Sequence, residues 1–213
     1  MNRLFSILVL LAVTTGIPAA GAWASVPDPV NSGWTWANLE CGFTKAFICP
    51  AADSFITSAI FVSVRDQFDA PMPGVLVEAS FYDDGCLWLC EPVRSFTQVD
   101  GVALLLIYGG LDVSGDTACC VVETEVKCMG VGIPYCVHVL PEPQVCTPTD
   151  TREWLSPDMT QGLGSENKVE GLDYAIFSTD WLTASCRSDY NCDGEVEGRD
   201  YSMFARHWLH LCP

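Results

Sequence analysis

Ile60-Phe61-Val62-Ser63-Val64-Arg65-Asp66-Gln67-Phe68-Asp69-Ala70-Pro71-Met72-Pro73-Gly74-Val75-Leu76-Val77 reads as two short strands around a turn. Ile60, Val62 and Val64 alternate with Phe61, Ser63 and Arg65, the period-two pattern of a strand with one buried face. Asp66, Asp69, Pro71, Pro73 and Gly74 supply turn chemistry between them. Val75, Val77, Ala79 and Phe81 then alternate with Leu76, Glu78 and Ser80. Downstream, Asp83-Asp84-Gly85 turns again, Asp100-Gly101 opens an apolar run from Val102 to Tyr108, and Gly109-Gly110 ends it. Cys120, Val122, Thr124 and Val126 make another alternating strand, and Val137 to Leu140 a last one before Pro141 and Pro143. Short strands at this spacing predict a β-sandwich over residues 53–148.

The stretch Val64 to Val77, followed by Thr97-Gln98-Val99-Asp100-Gly101-Val102-Ala103, resembles bacterial Ig-like domains of the invasin type. Their pattern is a V-x-D-x-x-x-x-P-x-x-G-x-x-V hairpin and then a T-x-x-x-G-x-A hairpin. The resemblance covers about fifty residues, rests on turn chemistry, and implies an Ig-like fold without a catalytic role.

Upstream, residues 25–52 hold Pro27, Pro29, Gly33, Trp34, Trp36, Cys41 and Cys49, and read as an irregular, cysteine-pinned lead-in. The two tryptophans are expected to pack rather than stack on sugar. Residues 1–24 have the form of a signal peptide: Arg3, an apolar run from Leu4 to Val13, and Ala22-Trp23-Ala24 as a cleavage site. That run is short for a membrane span, and no later stretch is long enough. The chain is therefore expected to be secreted or held at the cell surface. All twelve cysteines lie beyond residue 24, and an even count in an exported chain predicts disulfides throughout. Cys86-x3-Cys90 as half of a zinc site is the alternative, but no second pair at finger spacing follows it. Cys186 and Cys212 bracket one C-terminal segment, and joining them would close a loop worth about 3–4 kcal/mol. A formal charge of −17 disfavours nucleic acid and anionic membranes as partners, since both call for basic patches.

After a Pro/Thr-rich link at 149–155 the pattern changes. Asp189-Tyr190-Asn191-Cys192-Asp193-Gly194-Glu195-Val196-Glu197-Gly198-Arg199-Asp200 carries oxygen-bearing side chains at loop positions 1, 3, 5 and 12, with glycine at 6. A hard cation needs six or more oxygens, and alternate residues of a curled loop can all point inward. Asp189, Asn191, Asp193, the Glu195 carbonyl and Asp200 are thus the expected Ca2+ ligands, with water near Glu197. Tyr201, Phe204, Ala205 and Trp208 follow at i, i+3, i+4, i+7, so the loop feeds one amphipathic helix. Val169-Glu170-Gly171-Leu172-Asp173-Tyr174, running on to Trp181-Leu182, repeats Val196-Glu197-Gly198-Arg199-Asp200-Tyr201, running on to Trp208-Leu209. In register, the first loop offers only Gly162, Gly164 and Glu166 in place of Asp189, Asn191 and Asp193; a longer loop from Asp158 is the alternative. One strong calcium site is expected.

This loop–helix unit, with aspartate at position 12 and a second copy, resembles a dockerin. The resemblance implies a small all-α, EF-hand-like module over 156–213 that docks onto a cohesin-like partner. It places the docking residues at loop positions 10 and 11, here Gly171, Leu172, Gly198 and Arg199, where Gly-Leu and Gly-Arg depart from the Ser-Thr pairs of well-known cohesin binders. The expected whole is mainly β: an Ig-like β-sandwich followed by a dockerin-like pair of repeats. No Gly-x-Ser-x-Gly elbow, His-Glu-x-x-His or phosphate loop occurs, so a non-catalytic attachment protein is expected. The rival is a carbohydrate-binding sandwich, with polysaccharide as partner, delivered by the dockerin.

Overall fold

A computed structural model describes residues 25–51, 57–113, 119–137, 145–160 and 168–212. The expected leader lies outside them, as does Leu140 of the expected last strand. In chain order the elements are β1 (Gly33–Ala37), β2 (Lys45–Phe47), β3 (Ala59–Ser63), β4 (Leu76–Tyr82) and β5 (Leu87–Leu89). Then come β6 (Arg94–Phe96), β7 (Val102–Leu106), β8 (Gly109–Leu111), β9 (Cys120–Cys128) and β10 (Val131–Ile133). β11 (Tyr135–Val137), β12 (Val145–Thr147), β13 (Asp150–Leu155), α1 (Gly171–Thr179) and α2 (Gly198–Arg206) complete the chain.

One sheet runs β12-β11-β1-β3-β7; the other runs β2-β13-β9-β4-β6, with β10 paired to β9, and β5 pairs β8 apart from both. Trp34, Val62 and Ala103 from the first sheet share one core with Val77, Val122, Val126 and Trp154 from the second. Trp36 meets Trp154 edge-on across the gap, with ring centroids 5.8 Å apart. The described residues are mainly β with two short helices, consistent with the Ig-like sandwich. Period two is kept where one face is buried: Ile60, Val62 and Val64 are fully enclosed, while Phe61 points out.

Three expectations need correction. The lead-in is not irregular, since β1 lies between β3 and β11 and buries Trp34 and Trp36. The expected link at 149–155 is largely β13, paired to β9 on one side and in parallel to β2 on the other. Its charged side chains have partners: Arg152 donates to the Phe43 carbonyl, the Tyr135 hydroxyl and Asp150, and Asp150 accepts the Trp36 indole N–H at 2.7 Å. Thus the sandwich extends beyond 53–148 at both ends.

The third correction concerns the two turns. β3 pairs with β1 and β7, whereas β4 pairs with β6 and β9, so Asp66–Gly74 carries the chain between sheets rather than closing a hairpin. The segment from Thr97 to Gly101 likewise runs from β6 in one sheet to β7 in the other. The two crossings lock together: Met72 N–H donates to Val64 O, Val64 N–H to Gly101 O, and the Thr97 hydroxyl to Met72 O. Gly101 has φ +76°, and a Cβ there would sit 2.6 Å from Val64 O, so only glycine fits. Asp66 accepts N–H groups from Ala70 and Phe68, which hold its carboxyl below the usual range.

Candidate functional site

The C-terminal segment builds two units of like plan. Each helix opens on a glutamate whose backbone N–H is taken by the aspartate three residues on: Glu170 with Asp173, and Glu197 with Asp200. Such reciprocal capping satisfies donors that a helix start would otherwise leave unpaired. Each unit then crosses to the other. Val196 exchanges backbone hydrogen bonds with Leu182 and Thr183 beyond α1, and Val169 does so with Leu209 and His210 beyond α2. Phe177 and Phe204 stack between the helices with centroids 5.2 Å apart.

In the second unit the expected ligands converge. One carboxylate oxygen each from Asp189, Asp193 and Asp200 lies within 4.8 Å of the others. Asp189 accepts N–H groups from Asp193 at 3.2 Å and Gly194 at 3.0 Å, and Asp200 accepts the Asn191 N–H at 3.0 Å. The Asn191 side chain bridges to Asp193, accepting its N–H at 2.8 Å. Gly194 takes φ +93°, the bend expected at position 6. Val196 is fully buried, which leaves the Glu195 side chain outside. Opposing this, Arg199 approaches Asp193 only at 3.9 Å and stays exposed.

The first unit has a related pair that the residue-by-residue register missed. Asp173, the counterpart of Asp200, accepts the Met159 N–H at 2.7 Å and the Thr160 hydroxyl at 3.0 Å. This places Asp158 beside it, close enough for the Asp173 charge to bear on it. Asp158 has no exposed surface, and only the Thr160 backbone N–H approaches its carboxylate, outside good hydrogen-bond geometry. Burial and then the Asp173 charge push its carboxyl up to about 8, the Thr160 backbone offsetting part of the rise. Burial also raises Asp173. Gly162, Gly164 and Glu166 lie outside the described residues.

Between the units, Arg187 donates from Nε and Nη2 to Asp180 at 2.7 and 3.0 Å, and Ser188 adds a bond at 2.6 Å. Burial works to raise the Asp180 carboxyl, but these donors outweigh it and leave it below the usual range. Arg187 also reaches the Val113 carbonyl of the sandwich at 2.8 Å. The disulfides make the same connection: Cys41–Cys192, Cys90–Cys212 and Cys119–Cys186 each join sandwich to C-terminal segment. Cys86–Cys120 and Cys136–Cys146 lie within the sandwich. The bracketing pair Cys186 and Cys212 is therefore not a bond, and Cys86 and Cys90 go to different partners rather than to zinc. Nor are all thiols oxidised, since Cys49 and Cys128 are outside these bridges.

Of the aromatic residues at helical spacing, only Phe177 and Phe204 face inward. Tyr174, Trp181, Tyr201 and Trp208 are each a little under half exposed. They line two adjoining grooves of about 410 and 440 Å3, one with Trp181 and one with Trp208, sharing Tyr174 and Tyr201. Gly171, Leu172, Gly198 and Arg199 are all exposed at the helix starts.

No protein-family model matches the chain, and no curated protein does. Among solved structures it is similar to the Yersinia pseudotuberculosis adhesin InvE, with TM-score 0.33 and 15% identity over 64% of this chain and 29% of that one. It is also similar to invasin, a bacterial integrin-binding protein, with TM-score 0.32 and 16% identity over 62% of this chain and 21% of that one. The chain thus spans less than a third of either structure. No helix among the described residues is long and apolar enough to cross a membrane.

Proposed function

We propose that this is an exported, non-catalytic attachment protein whose C-terminal pair of loop–helix units binds calcium and docks onto a cohesin-like protein. The observation that carries the reading is the convergence of Asp189, Asp193 and Asp200 at the start of α2, with Gly194 bent as a calcium loop requires. Asn191 and the Glu195 carbonyl complete the oxygen set, with water filling near Glu197. Calcium cancels the repulsion of three carboxylates and fixes the entry into α2. The docking surface is the exposed rim of Gly171, Leu172, Gly198 and Arg199 with the aromatic grooves beside it. The sandwich serves as a rigid base, and the five disulfides suit an oxidising, extracellular compartment. Sugar binding by the sandwich has no support from its tryptophans, since Trp34, Trp36, Trp88 and Trp154 are all buried.

The test is calorimetric titration of the oxidised full chain with calcium, wild type against Asp193→Ala. The expected result is tight binding in the wild type, lost in the variant. Capture of exported proteins from the source organism, with and without chelator, then reads docking. Calcium binding that survives Asp193→Ala would reject this loop as the site.

A further inference from the structure

We propose that Cys49, His207 and His210 form a transition-metal site, of the kind that takes a four-coordinate Zn2+ ion, clamping the C-terminal unit to the sandwich. It is separate from the calcium loop in residues and in donor chemistry. One ligating atom from each of the three lies within 4.8 Å of the others. His210 Nδ1 is 3.4 Å from Cys49 Sγ and 3.3 Å from His207 Nδ1. Around a tetrahedral zinc, bond lengths of about 2.3 Å to sulfur and about 2.0–2.1 Å to nitrogen put neighbouring sulfur and nitrogen about 3.5 Å apart, and neighbouring nitrogens about 3.3 Å apart. These two separations match edges of that tetrahedron, and the remaining pair of donors lies within 4.8 Å.

Beyond these contacts with one another, each donor is held in place by its backbone. Cys49 lies just beyond β2 in a parallel bridge with Tyr108, and its carbonyl accepts the Gly109 N–H. His207 caps α2, its N–H donating to Phe204 O, and its ring packs on Phe47 at 5.3 Å. His210 donates its N–H to His207 O and accepts the Val169 N–H, and the Cys90–Cys212 bridge fixes the chain two residues on. Cys49 and His207 have no exposed surface, whereas His210 is partly exposed and gives an ion its way in. A nucleophilic role for Cys49 is ruled out by that burial, because no substrate could reach the sulfur. One sulfur and two imidazoles form a soft-to-borderline donor set, which selects zinc-like ions over calcium.

The experiment uses the full chain, oxidised and saturated with calcium, titrated with Co2+ as a spectroscopic stand-in for Zn2+. Expected is one equivalent giving a thiolate-to-metal charge-transfer band with the intense visible bands of four-coordinate Co2+, both displaced by Zn2+. Co2+ at the carboxylate loop would give neither. Cys49→Ser and His210→Ala should each lose the band, and Cys128→Ser should keep it. If Cys49→Ser fails to fold, the partly exposed His210→Ala carries the comparison. No charge-transfer band in the wild type, a band surviving Cys49→Ser, or Cys49 found in a disulfide by mass spectrometry would overturn the proposal.

Discussion

In the second unit, Asp189 takes two amide hydrogens and shares its site with Asp193, which is open to solvent. In the first, Asp158 lies beneath the surface with only the Thr160 backbone N–H near its carboxylate. The backbone plan is the same: a capping glutamate, an aspartate three residues into the helix, and a buried valine crossing to the other unit. What differs is who solvates the charge. The second loop supplies backbone N–H dipoles to Asp189 and Asp200 and leaves Asp193 open to water. The first is packed against the sandwich, where Leu111 and Val113 donate to the carbonyls of Asp158 and Met159. There, burial favours the proton.

The largest effect should come from cutting the tie between the units. Asp180 and Arg187 are both buried, and removing one partner of a buried ion pair costs about 3–5 kcal/mol, since the other is left uncompensated. Arg187→Ala should lower the stability of the full chain by that amount in urea unfolding. It should also weaken calcium binding, because Arg187 is two residues before Asp189. A loss under about 1 kcal/mol would mean that the two units are not held together through this pair.

Next is calcium itself. Ligand that binds only the folded chain adds about 2.7 kcal/mol at a concentration a hundred times Kd. Chelation should remove that much from the wild type and nothing from Asp200→Ala. One equivalent of calcium is expected. Asp158→Asn should leave that count unchanged; a fall from two equivalents to one would show that the buried pair also takes an ion, and would erase the contrast between the units.

A smaller effect concerns the proton on Asp158. Its carboxyl sits at about 8 when folded, against about 3.9 when unfolded. The stability due to holding that proton is fully present below pH 3.9 or so and is lost as pH rises through about 8. Chelated protein should therefore become less stable between those limits, with this group pulling against ordinary carboxylates such as Asp66, whose lowered value favours folding at the higher pH. Asp158→Asn keeps the neutral shape at every pH. It should flatten the loss and leave the variant the more stable of the two above about pH 8. Identical pH profiles for variant and wild type would put the proton elsewhere.

How far the sequence revealed this depends on the kind of residue. Strands with one apolar face, such as Ile60–Val64 and Cys120–Val126, were legible because alternation follows directly from one-sided burial. β1 carries the same signal in Trp34, Thr35 and Trp36, but only three residues of it, behind two prolines. β13 was illegible because Arg152 and Glu153 look like linker; their partners, Phe43, Tyr135 and Lys45, are distant in sequence. The repeat exposed both helices, since Val, Glu, Gly, Asp, Tyr, Phe, Trp and Leu recur together. The register of the first acidic pair was hidden by extra residues between Asp158 and Asp173. Disulfide pairing could not be read at all: three of the five bonds join segments that spacing says nothing about.

The smallest expected change in stability tests the likeness of the two grooves. An aromatic stripe at i, i+3, i+4, i+7 marks the apolar face of an amphipathic helix, yet Trp181 and Trp208 are each 42% exposed. A helix whose inner face is already filled, by Phe177 stacked on Tyr190 or by Phe204 stacked on Phe177, leaves its flanking aromatics outside. Surface substitutions away from special features change stability by about 0.5 kcal/mol or less, so Trp181→Ala and Trp208→Ala should cost little more than that, mainly through the contacts with Phe177 and Phe204. Their effect on capture of an exported partner should be far larger, because exposed tryptophans at an interface are where binding energy concentrates. The pair of variants separates two modes. If the partner covers one groove, one substitution abolishes capture and the other leaves it intact. If either groove can serve, each single variant still captures and only the double variant fails. Full capture by the double variant, with calcium bound and the fold unchanged, would remove the aromatic face from the docking surface and leave Gly171, Leu172, Gly198 and Arg199 to carry it.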